Sequence, residues 1–597
     1  MHVLSRLRAR LGEPGALRWI VALAVVLILP ALAVGFILDD HGQQLMLQGA
    51  PGMERSPFDL YSFLLEDPEW RAAMREYGGI PWYADPEIRA RFWRPLTSLT
   101  LGLDFLIAPG SAVFGHFHSL IWCAALFLVV GLLYRRQLDP PWIAGLATLL
   151  YAIDDGHSMC AAFIANRNAV VSMVFGTLAL LLHIQWRKEG RRRAGWLAPV
   201  FLGLGLLGGE MALSITAYLF AYALVLDRGG LLQRLATLLP AFVTSVVWLV
   251  TYQALGFGTA NSGLYIDPVS DPWRFALACV ERVPQLLQGQ LTPIPSDIAF
   301  VLSDRSALLL TGCAAAILVV MGRVLWPWLR RSAPARFWAL GMVISALPVC
   351  ATFAFDRLLL PVSLGAFALV AMVIGSVHDR AMQADPAYWS RRSVRWLAGF
   401  WVVTHLFLAP LVLPVRTFAM RPLGQFFEDN ARSLDNLPGL PGRTLVVVRG
   451  PDIFMTSWAL LIRQNLGLQN PNRLRVLGTT LDRVEVTRID DRTLRLRAPA
   501  GFVTVRLDRI MRSYDRPFRV GETVALSDMS VEVTAITDEG RPAELRCQFE
   551  RPLEDSSYVW AQRSAAGYQP FELPAVGATV TLEGFTLWDM LRYRFAP

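Results

Sequence analysis

Long apolar runs constrain the fold of this chain more than any other feature of its sequence. A helix needs about 20 apolar residues to cross about 30 Å of hydrocarbon, and about eleven runs approach that length. They leave the chain 54% hydrophobic and 17% charged, against about 25% charged residues in a typical soluble protein. The sequence therefore predicts a polytopic α-helical membrane protein with about 11 transmembrane helices. The predicted spans are 19–38, 117–134, 142–153, 163–184, 196–207, 211–226, 235–255, 306–325, 337–354, 358–377 and 396–413.

The basic residues indicate how these helices are oriented. If the spans alternate from a cytoplasmic N-terminus, every loop assigned to the inside contains two or more Lys or Arg residues, as the positive-inside rule requires. This distribution also explains the net charge of +8 without a nucleic-acid partner. We predict a multi-pass protein of the bacterial inner membrane with a periplasmic C-terminal region and a first span that is retained. The basic loops are 135–141, 187–195, 227–234, 326–336 and 378–395.

The chain divides into a membrane part and a β-rich part. Residues 1–415 form the predicted transmembrane domain, and its first periplasmic loop, 39–116, contains aromatic residues typical of short interfacial helices, among them Trp70, Trp82 and Tyr83. Pro and Gly residues indicate a linker over 416–442. Residues 443–597 alternate apolar with polar side chains, which predicts a small β-rich periplasmic domain. The predicted strands are 445–448, 484–486, 493–497, 503–507, 531–536, 544–549 and 579–582.

Ionisable and polar residues cluster at the predicted outer ends of the spans. Each group alone is compatible with a solvated helix end, a weak surface ion pair or a snorkelling arginine. Charged groups at a membrane are costly, however, and usually face a polar cavity with a function. Because several groups share one membrane face, we expect them to meet in such a cavity. They are Asp39, Asp40, Asp154, Asp155, His157, Asn166, Arg167, Glu210, Asp356 and Arg357.

The order of these groups resembles the GT-C glycosyltransferases, especially the bacterial relatives of protein O-mannosyltransferases and the TMTC-type enzymes. The acidic pair Asp39-Asp40 after the first span is similar to their first-loop acidic motif. Further segments of 15–415 match their motifs in order and spacing. These are Phe92-Trp-Arg-Pro-Leu96, Leu103-Asp104, Gly115-His-Phe-His118, Ala165-Asn-Arg-Asn168, Gly208-Gly-Glu210 and Asp356-Arg-Leu-Leu-Leu-Pro361.

The resemblance implies transfer of a sugar, with inversion, from a polyprenyl-phosphate carrier to an extracytoplasmic protein or glycan acceptor. Asp39 would then be the general base that activates an acceptor hydroxyl, with Asp40 beside it, because the attacking oxygen must lose its proton. Arg167, Arg357 and Arg94 are the expected donor-phosphate ligands, since a guanidinium group matches phosphate geometry. The residues expected to orient these arginines or to bind sugar hydroxyls are Asp154, Asp155, His157, Asn166, Glu210 and Asp356.

Three departures from the family pattern leave alternatives open. Gly209 replaces a usual lysine, Asn166-Arg-Asn168 lacks the usual acidic residue, and the β-rich tail differs from the TPR tail of TMTC proteins. A polymerase or ligase that moves a whole lipid-linked glycan is the alternative within this fold class. A transporter or flippase is the alternative from a different class, although transporters usually place charges near the bilayer midplane. No cofactor is required by the sequence, and a divalent metal is compatible with the family but not indicated.

Overall fold

The computed structural model describes residues 2–383, 385–513 and 515–595. Helices dominate the first three quarters of the chain and strands dominate the remainder. The helices are α1 (His2–Gly12), α2 (Ala16–Ile28), α3 (Asp39–Gln48), α4 (Pro68–Tyr77), α5 (Pro95–Ile107), α6 (Ala112–Gln137), α7 (Pro141–Ala152), α8 (Ser158–Ala162), α9 (Arg167–Glu189), α10 (Arg192–Gly208), α11 (Ile215–Val225), α12 (Leu231–Ala236), α13 (Leu239–Ala254), α14 (Pro272–Leu291), α15 (Ile298–Val301), α16 (Asp304–Arg331), α17 (Ala333–Val349), α18 (Leu360–His378), α19 (Pro386–Trp389), α20 (Arg392–Trp401), α21 (Ala409–Arg432), α22 (Ser457–Asn465) and α23 (Leu587–Phe595).

The apolar runs form helices, and the protein is a multi-pass membrane protein. Every predicted span overlaps a helix, and six helical segments of the described chain are long and apolar enough to cross a membrane by length and composition. Shorter apolar helices such as α7 and α13 account for other predicted spans, and the count of about eleven stays a prediction. The six segments are Ala16–Ala33, Ala112–Gln137, Ile164–Glu189, Asp304–Arg331, Leu360–His378 and Arg392–Asn436.

The basic loops meet at one end of the helices. Arg136, after α6, pairs with Glu189, at the end of α9, at 3.2 Å. Arg187, also in α9, pairs with Asp227 after α11 at 2.9 Å. The loops that the positive-inside rule groups together are therefore neighbours in space. Which side of the membrane they face stays a prediction.

The C-terminal region is β-rich, as predicted, and contains two sheets. A six-stranded antiparallel sheet has the order β13-β6-β7-β10-β9-β8, and a four-stranded sheet has the order β12-β11-β4-β5 with parallel pairs β11–β4 and β4–β5. A third sheet, β1-β2-β3, ties the first loop to the segment after α13. The strands are β1 (Ser62–Leu64), β2 (Arg89–Arg91), β3 (Gly258–Ala260), β4 (Thr444–Val447), β5 (Arg473–Val476), β6 (Val484–Arg488), β7 (Thr493–Arg497), β8 (Thr523–Ala525), β9 (Met529–Ile536), β10 (Pro542–Phe549), β11 (Tyr558–Ser564), β12 (Gly567–Pro570) and β13 (Thr579–Leu582).

One predicted strand and much of the predicted linker have a different structure. Residues 503–507 are not a strand: Val503 has a positive φ of 59°, and a 3₁₀ turn follows over Arg506–Ile510. Residues 416–432 complete α21 instead of forming a linker. Packing against the first span favours this helix despite its prolines, since a Cβ on Gly424 would lie 3.2 Å from Ile37 Cγ1.

The first loop is docked on the β-rich region. Trp82 and Tyr83, whose aromatic character suggests a membrane interface, are buried instead. The Trp82 indole donates to the Leu477 carbonyl at 3.1 Å, and the Tyr83 hydroxyl donates to Asp508 Oδ1 at 3.0 Å. Their polar atoms therefore hold residues 39–116 and the tail together.

Candidate active site

A cavity of about 380 Å³ lies at the end of the helices opposite the basic loops. The helix α9 shows this arrangement directly, because Asn168 near its start lines the cavity, whereas Arg187 near its end belongs to the basic loops. Apolar and polar side chains share the wall. The residues that carry charged or hydrogen-bonding side chains there include Asp39, Tyr61, Arg94, Asn166, Asn168, Glu210, Tyr252, Thr259, Tyr265, Asp267, Thr352 and Arg357.

Asp39 is half-buried in the cavity wall and begins α3. The residue before it, Leu38, has φ 39° and ψ −103°, a conformation that L-residues rarely adopt and that persists only where the surrounding structure enforces it. The Asp39 carboxylate accepts no hydrogen bond from the part of the chain that the structure describes. Burial raises its pKa to about 6, and the positive charges of Arg357 and Arg94 limit that rise. A carboxylate of this kind can accept a proton from a substrate.

The neighbouring carboxylate, Asp40, faces the protein interior. Its Oδ2 accepts the Ile37 amide at 3.0 Å and its Oδ1 accepts the Ala165 amide at 2.7 Å. Asp40 is 2% exposed, and burial raises its pKa to about 7. Its contacts join the end of the first span to the start of α9. The geometry thus gives Asp40 a structural role and does not support a catalytic one.

Arg94 is held at the cavity wall by both ionic and aromatic contacts. Its Nε donates to Glu210 Oε2 at 2.8 Å. Its guanidinium lies 4.5 Å from the ring centroid of Phe92 and 4.8 Å from that of Tyr61. With the Asn168 amide oriented to satisfy both of its partners, the amide oxygen accepts from Arg94 Nη1 at 3.2 Å. These contacts fix the orientation of the guanidinium.

Arg357 is the second cation of the cavity. It lies in the short 3₁₀ turn Asp356–Leu358 before α18, with its guanidinium 5.7 Å from the Phe355 ring centroid. Electrostatic attraction links it to Asp39. Its buried Nε finds no hydrogen-bond acceptor among the described residues. A buried N–H without a partner is costly.

Arg167 does not line the cavity. Its side chain is fully buried, pairs with Asp104 Oδ2 at 2.6 Å and donates to the Gly115 carbonyl at 2.6 Å. Asp104 in turn contacts His118 Nδ1 at 2.5 Å. We therefore assign Arg167 a structural role between α5, α6 and α9, in place of the expected donor-phosphate contact. Its neighbour Asn166 does line the cavity.

Four expected sugar ligands lie outside this cavity, and two of them contact an arginine that the sequence motifs did not indicate. Arg416 of α21 contacts Asp155 at 2.9 Å, Asp356 at 2.7 Å and Asp297 at 3.2 Å. Asp154 accepts the Gln290 amide at 3.2 Å, and burial raises the pKa of Asp154 well above its usual range. His157 is buried beside Ser363, with its Nε2 3.2 Å from the hydroxyl.

None of these cluster residues lines the cavity of Asp39. Asp356 lies next to Arg357 in the chain, so the cluster anchors the turn that carries the second cation. A charged residue within an apolar run is itself a signal of function or pairing, and Arg416 could have been identified from that signal.

The cavity also contains residues that no sequence motif indicated. Tyr252 at the end of α13 places its hydroxyl 3.5 Å from Glu210 Oε1, and Tyr265 lies beside Arg357. Both belong to segments without a recognisable motif. In the described ranges, no group of three or more His, Cys, Asp or Glu side chains has the geometry of a metal site, and metal dependence stays untested.

Fold and cavity together define a multi-pass membrane protein with a cavity in which the carboxylate of Asp39 shares the wall with two guanidinium groups. An alignment of 242 positions, which covers 38% of the chain, shows 30% identity to Protein O-mannosyl-transferase Tmtc2 from Drosophila melanogaster. This match confirms the resemblance to TMTC-type enzymes. The chain spans about a quarter of the length of that relative, since the match covers 24% of it. No family model matches the chain.

Solved structures that align with this chain include the following two, both with TM-scores below 0.5. The oligosaccharyltransferase of Archaeoglobus fulgidus in its apo form aligns with a TM-score of 0.40 and 14% identity, covering 76% of this chain and 64% of that one. ArnT from Cupriavidus metallidurans, bound to undecaprenyl phosphate, aligns with a TM-score of 0.37 and 14% identity, covering 78% of this chain and 90% of that one.

Proposed function

We propose that this protein is an inverting GT-C-type glycosyltransferase that moves a sugar from a polyprenyl-phosphate-linked donor to an acceptor outside the cytoplasm. The observation that carries the proposal is the placement of Asp39, Arg94 and Arg357 around one cavity. The resemblance to an O-mannosyltransferase supports it. In this proposal the protein lies in the bacterial inner membrane, and the cavity and the β-rich domain are periplasmic.

Each residue has a defined part in the reaction. Asp39 accepts the proton of the acceptor hydroxyl while the oxygen of that hydroxyl forms a bond to the anomeric carbon. The bond from that carbon to the phosphate oxygen breaks, and its electron pair leaves with the lipid phosphate. Arg357 and Arg94 stabilise the negative charge on that phosphate. Attack from the side opposite the leaving group inverts the anomeric configuration.

The remainder of the cavity fits an amphiphilic donor. Its volume of about 380 Å³ falls in the range of about 300–1,000 Å³ that is common for small-molecule sites. Trp248, Leu249, Met211 and Val349 provide apolar surface for the first part of the lipid chain. Glu210 orients Arg94 through its 2.8 Å contact and remains available to sugar hydroxyls.

The test is a donor-turnover assay with the full chain in liposomes. With radiolabelled polyprenyl-phosphate sugar, we expect release of polyprenyl phosphate and transfer of the label, with an inverted anomeric centre by NMR. Turnover should be unchanged by EDTA. Turnover of a lipid-linked oligosaccharide in place of the monosaccharide donor would favour the polymerase or ligase. Solute movement across the vesicles with intact donor would contradict the proposal in favour of a transporter.

A further inference from the structure

A second cavity, of about 160 Å³, lies between the membrane part and the β-rich domain. Arg506 and Arg509 reach it from the tail, and Glu281, Arg282 and Asp304 line it from the membrane part. Three guanidinium groups face two carboxylates, so the cavity has an excess of one positive charge. An anionic ligand of small size is the complement of such a cavity.

The tail arginines are held in place from several sides. Arg506 donates to the Ala299 carbonyl and to Asp304 Oδ1, both at 2.6 Å. The Gly263 amide donates to the Arg509 carbonyl at 2.7 Å, and a Cβ on Gly263 would lie 2.9 Å from that oxygen. The cavity is thus built by a close approach of two parts of the chain. Each guanidinium has five N–H donors, so Arg506 retains donors for a ligand.

The position of this cavity favours a lipid over a soluble anion. Asp304 is the first residue of α16, a candidate membrane span. The side chains just beyond it are apolar and open to the surroundings, with Val301 74%, Leu308 68% and Leu309 65% exposed. A headgroup bound among the arginines would therefore have apolar surface beside it for its acyl chains. The positive end of a long helix adds attraction for a phosphate.

The second cavity shares a wall with the cavity of Asp39. Residues 263–264 and 353–354 line the second cavity, and residues 265–269, 348–349 and 351–352 line the first. The Ile266 amide donates to the Ala351 carbonyl at 2.8 Å and joins the two segments. Phe353 lies 4.6 Å from Phe355 between ring centroids, and Phe355 contacts Arg357. This wall therefore separates a ligand held in the second cavity from the cavity of Asp39.

We propose that this arginine cavity binds the phosphate headgroup of an anionic membrane lipid. The wall between the two cavities separates such a headgroup from Asp39, so this proposal does not depend on the proposed glycosyltransferase function.

The experiment measures lipid binding. Short-chain phosphatidylglycerol, which has a phosphate and free hydroxyls, is titrated onto the full chain in detergent, with phosphatidylcholine as the zwitterionic comparison. We expect Arg506→Gln/Arg509→Gln to weaken phosphatidylglycerol binding about tenfold or more, since hydrogen bonds to charged groups are lost. Arg551→Gln, an exposed tail arginine, is the matched control and should bind as the unmodified chain does.

A second variant separates binding from folding. Arg282→Gln removes a charge from the membrane side of the cavity and leaves the tail arginines in place, so it should weaken binding even if the double variant undocks the tail. Equal binding by all variants, or equal binding of phosphatidylcholine, would refute the site. Displacement of the lipid by glycerol phosphate at equal concentration would assign the site to a soluble anion and refute the lipid source.

Discussion

The adjacent carboxylates Asp39 and Asp40 offer the sharpest test of the proposed chemistry. Asp39→Asn preserves the shape of the side chain and removes its capacity to accept a proton. General-base catalysis contributes about 10²–10⁴-fold, so kcat/KM should fall by that factor, which corresponds to a barrier higher by about 2.7–5.4 kcal/mol. Donor binding should change little, because the asparagine leaves Arg94 and Arg357 in place.

The same substitution should stabilise the folded protein at neutral to alkaline pH. Burial raises the pKa of Asp39 from 3.8 to about 6, and each unit corresponds to about 1.4 kcal/mol. When the pKa of a carboxyl is higher in the folded protein than in the unfolded chain, its contribution to the free energy of unfolding is fully present below the unfolded pKa. That contribution is lost as the pH rises through the folded pKa. Above pH ~7 the ionised group therefore costs up to ~3 kcal/mol, which asparagine avoids.

The assay combines turnover with thermal unfolding in the same detergent. Asp40→Ala is the neighbouring control, because it leaves the buried amides of Ile37 and Ala165 without their acceptors and should cost about 1–3 kcal/mol of stability. Its folded fraction should keep turnover within about tenfold. Full turnover in Asp39→Asn, or a loss of stability in that variant like that of Asp40→Ala, would refute the assignment of base and structural carboxylate.

Three further outcomes follow from the geometry. The kcat/KM of the unmodified chain should fall as the pH drops below about 6, because burial raises the pKa of Asp39 to that value and a protonated carboxyl cannot act as a base. A flat profile of kcat/KM from pH 5 to 8 would exclude Asp39 as the base. Arg94→Lys should raise the KM for donor about tenfold with a smaller change in kcat, since lysine keeps the charge but loses the fork that contacts Glu210 and a phosphate; an unchanged KM would contradict this. Arg416→Gln should destabilise the fold by about 3–5 kcal/mol, because it leaves the buried Asp356 without its cation, as a lower Tm would show; an unchanged Tm would refute it.

Much of the membrane fold could be predicted from local sequence. Each apolar run overlaps a helix, because burying a backbone in lipid leaves few options other than a helix. The loops assigned to one side by their arginines do meet, as the pair Arg136–Glu189 shows. The tail was predicted as β-rich from alternation alone, but β5, β8, β11 and β12 were missed, because short strands depend on their partners more than on their own pattern.

The site was less accessible to prediction. Order along the chain placed Asp39, Glu210 and Arg357 at one end of the helices, and they line one cavity. It could not show that Tyr252 and Tyr265 would join them, because the segments that carry them have no motif. Nor did the aromatic residues Trp82 and Tyr83 reveal that the first loop would pack on the tail.

Hydrophobicity and charge are properties of each segment, so the membrane class, the helices and the end at which polar groups gather could all be predicted from the sequence. Tertiary structure alone decided which groups face the cavity. It turned Asp39 outward and Asp40 inward, paired Arg167 with Asp104 in the interior, and placed Arg416 among Asp155, Asp297 and Asp356. The physical reason is that a buried charge must pair with an oppositely charged side chain that packing places beside it. These side chains come from segments far apart in the chain.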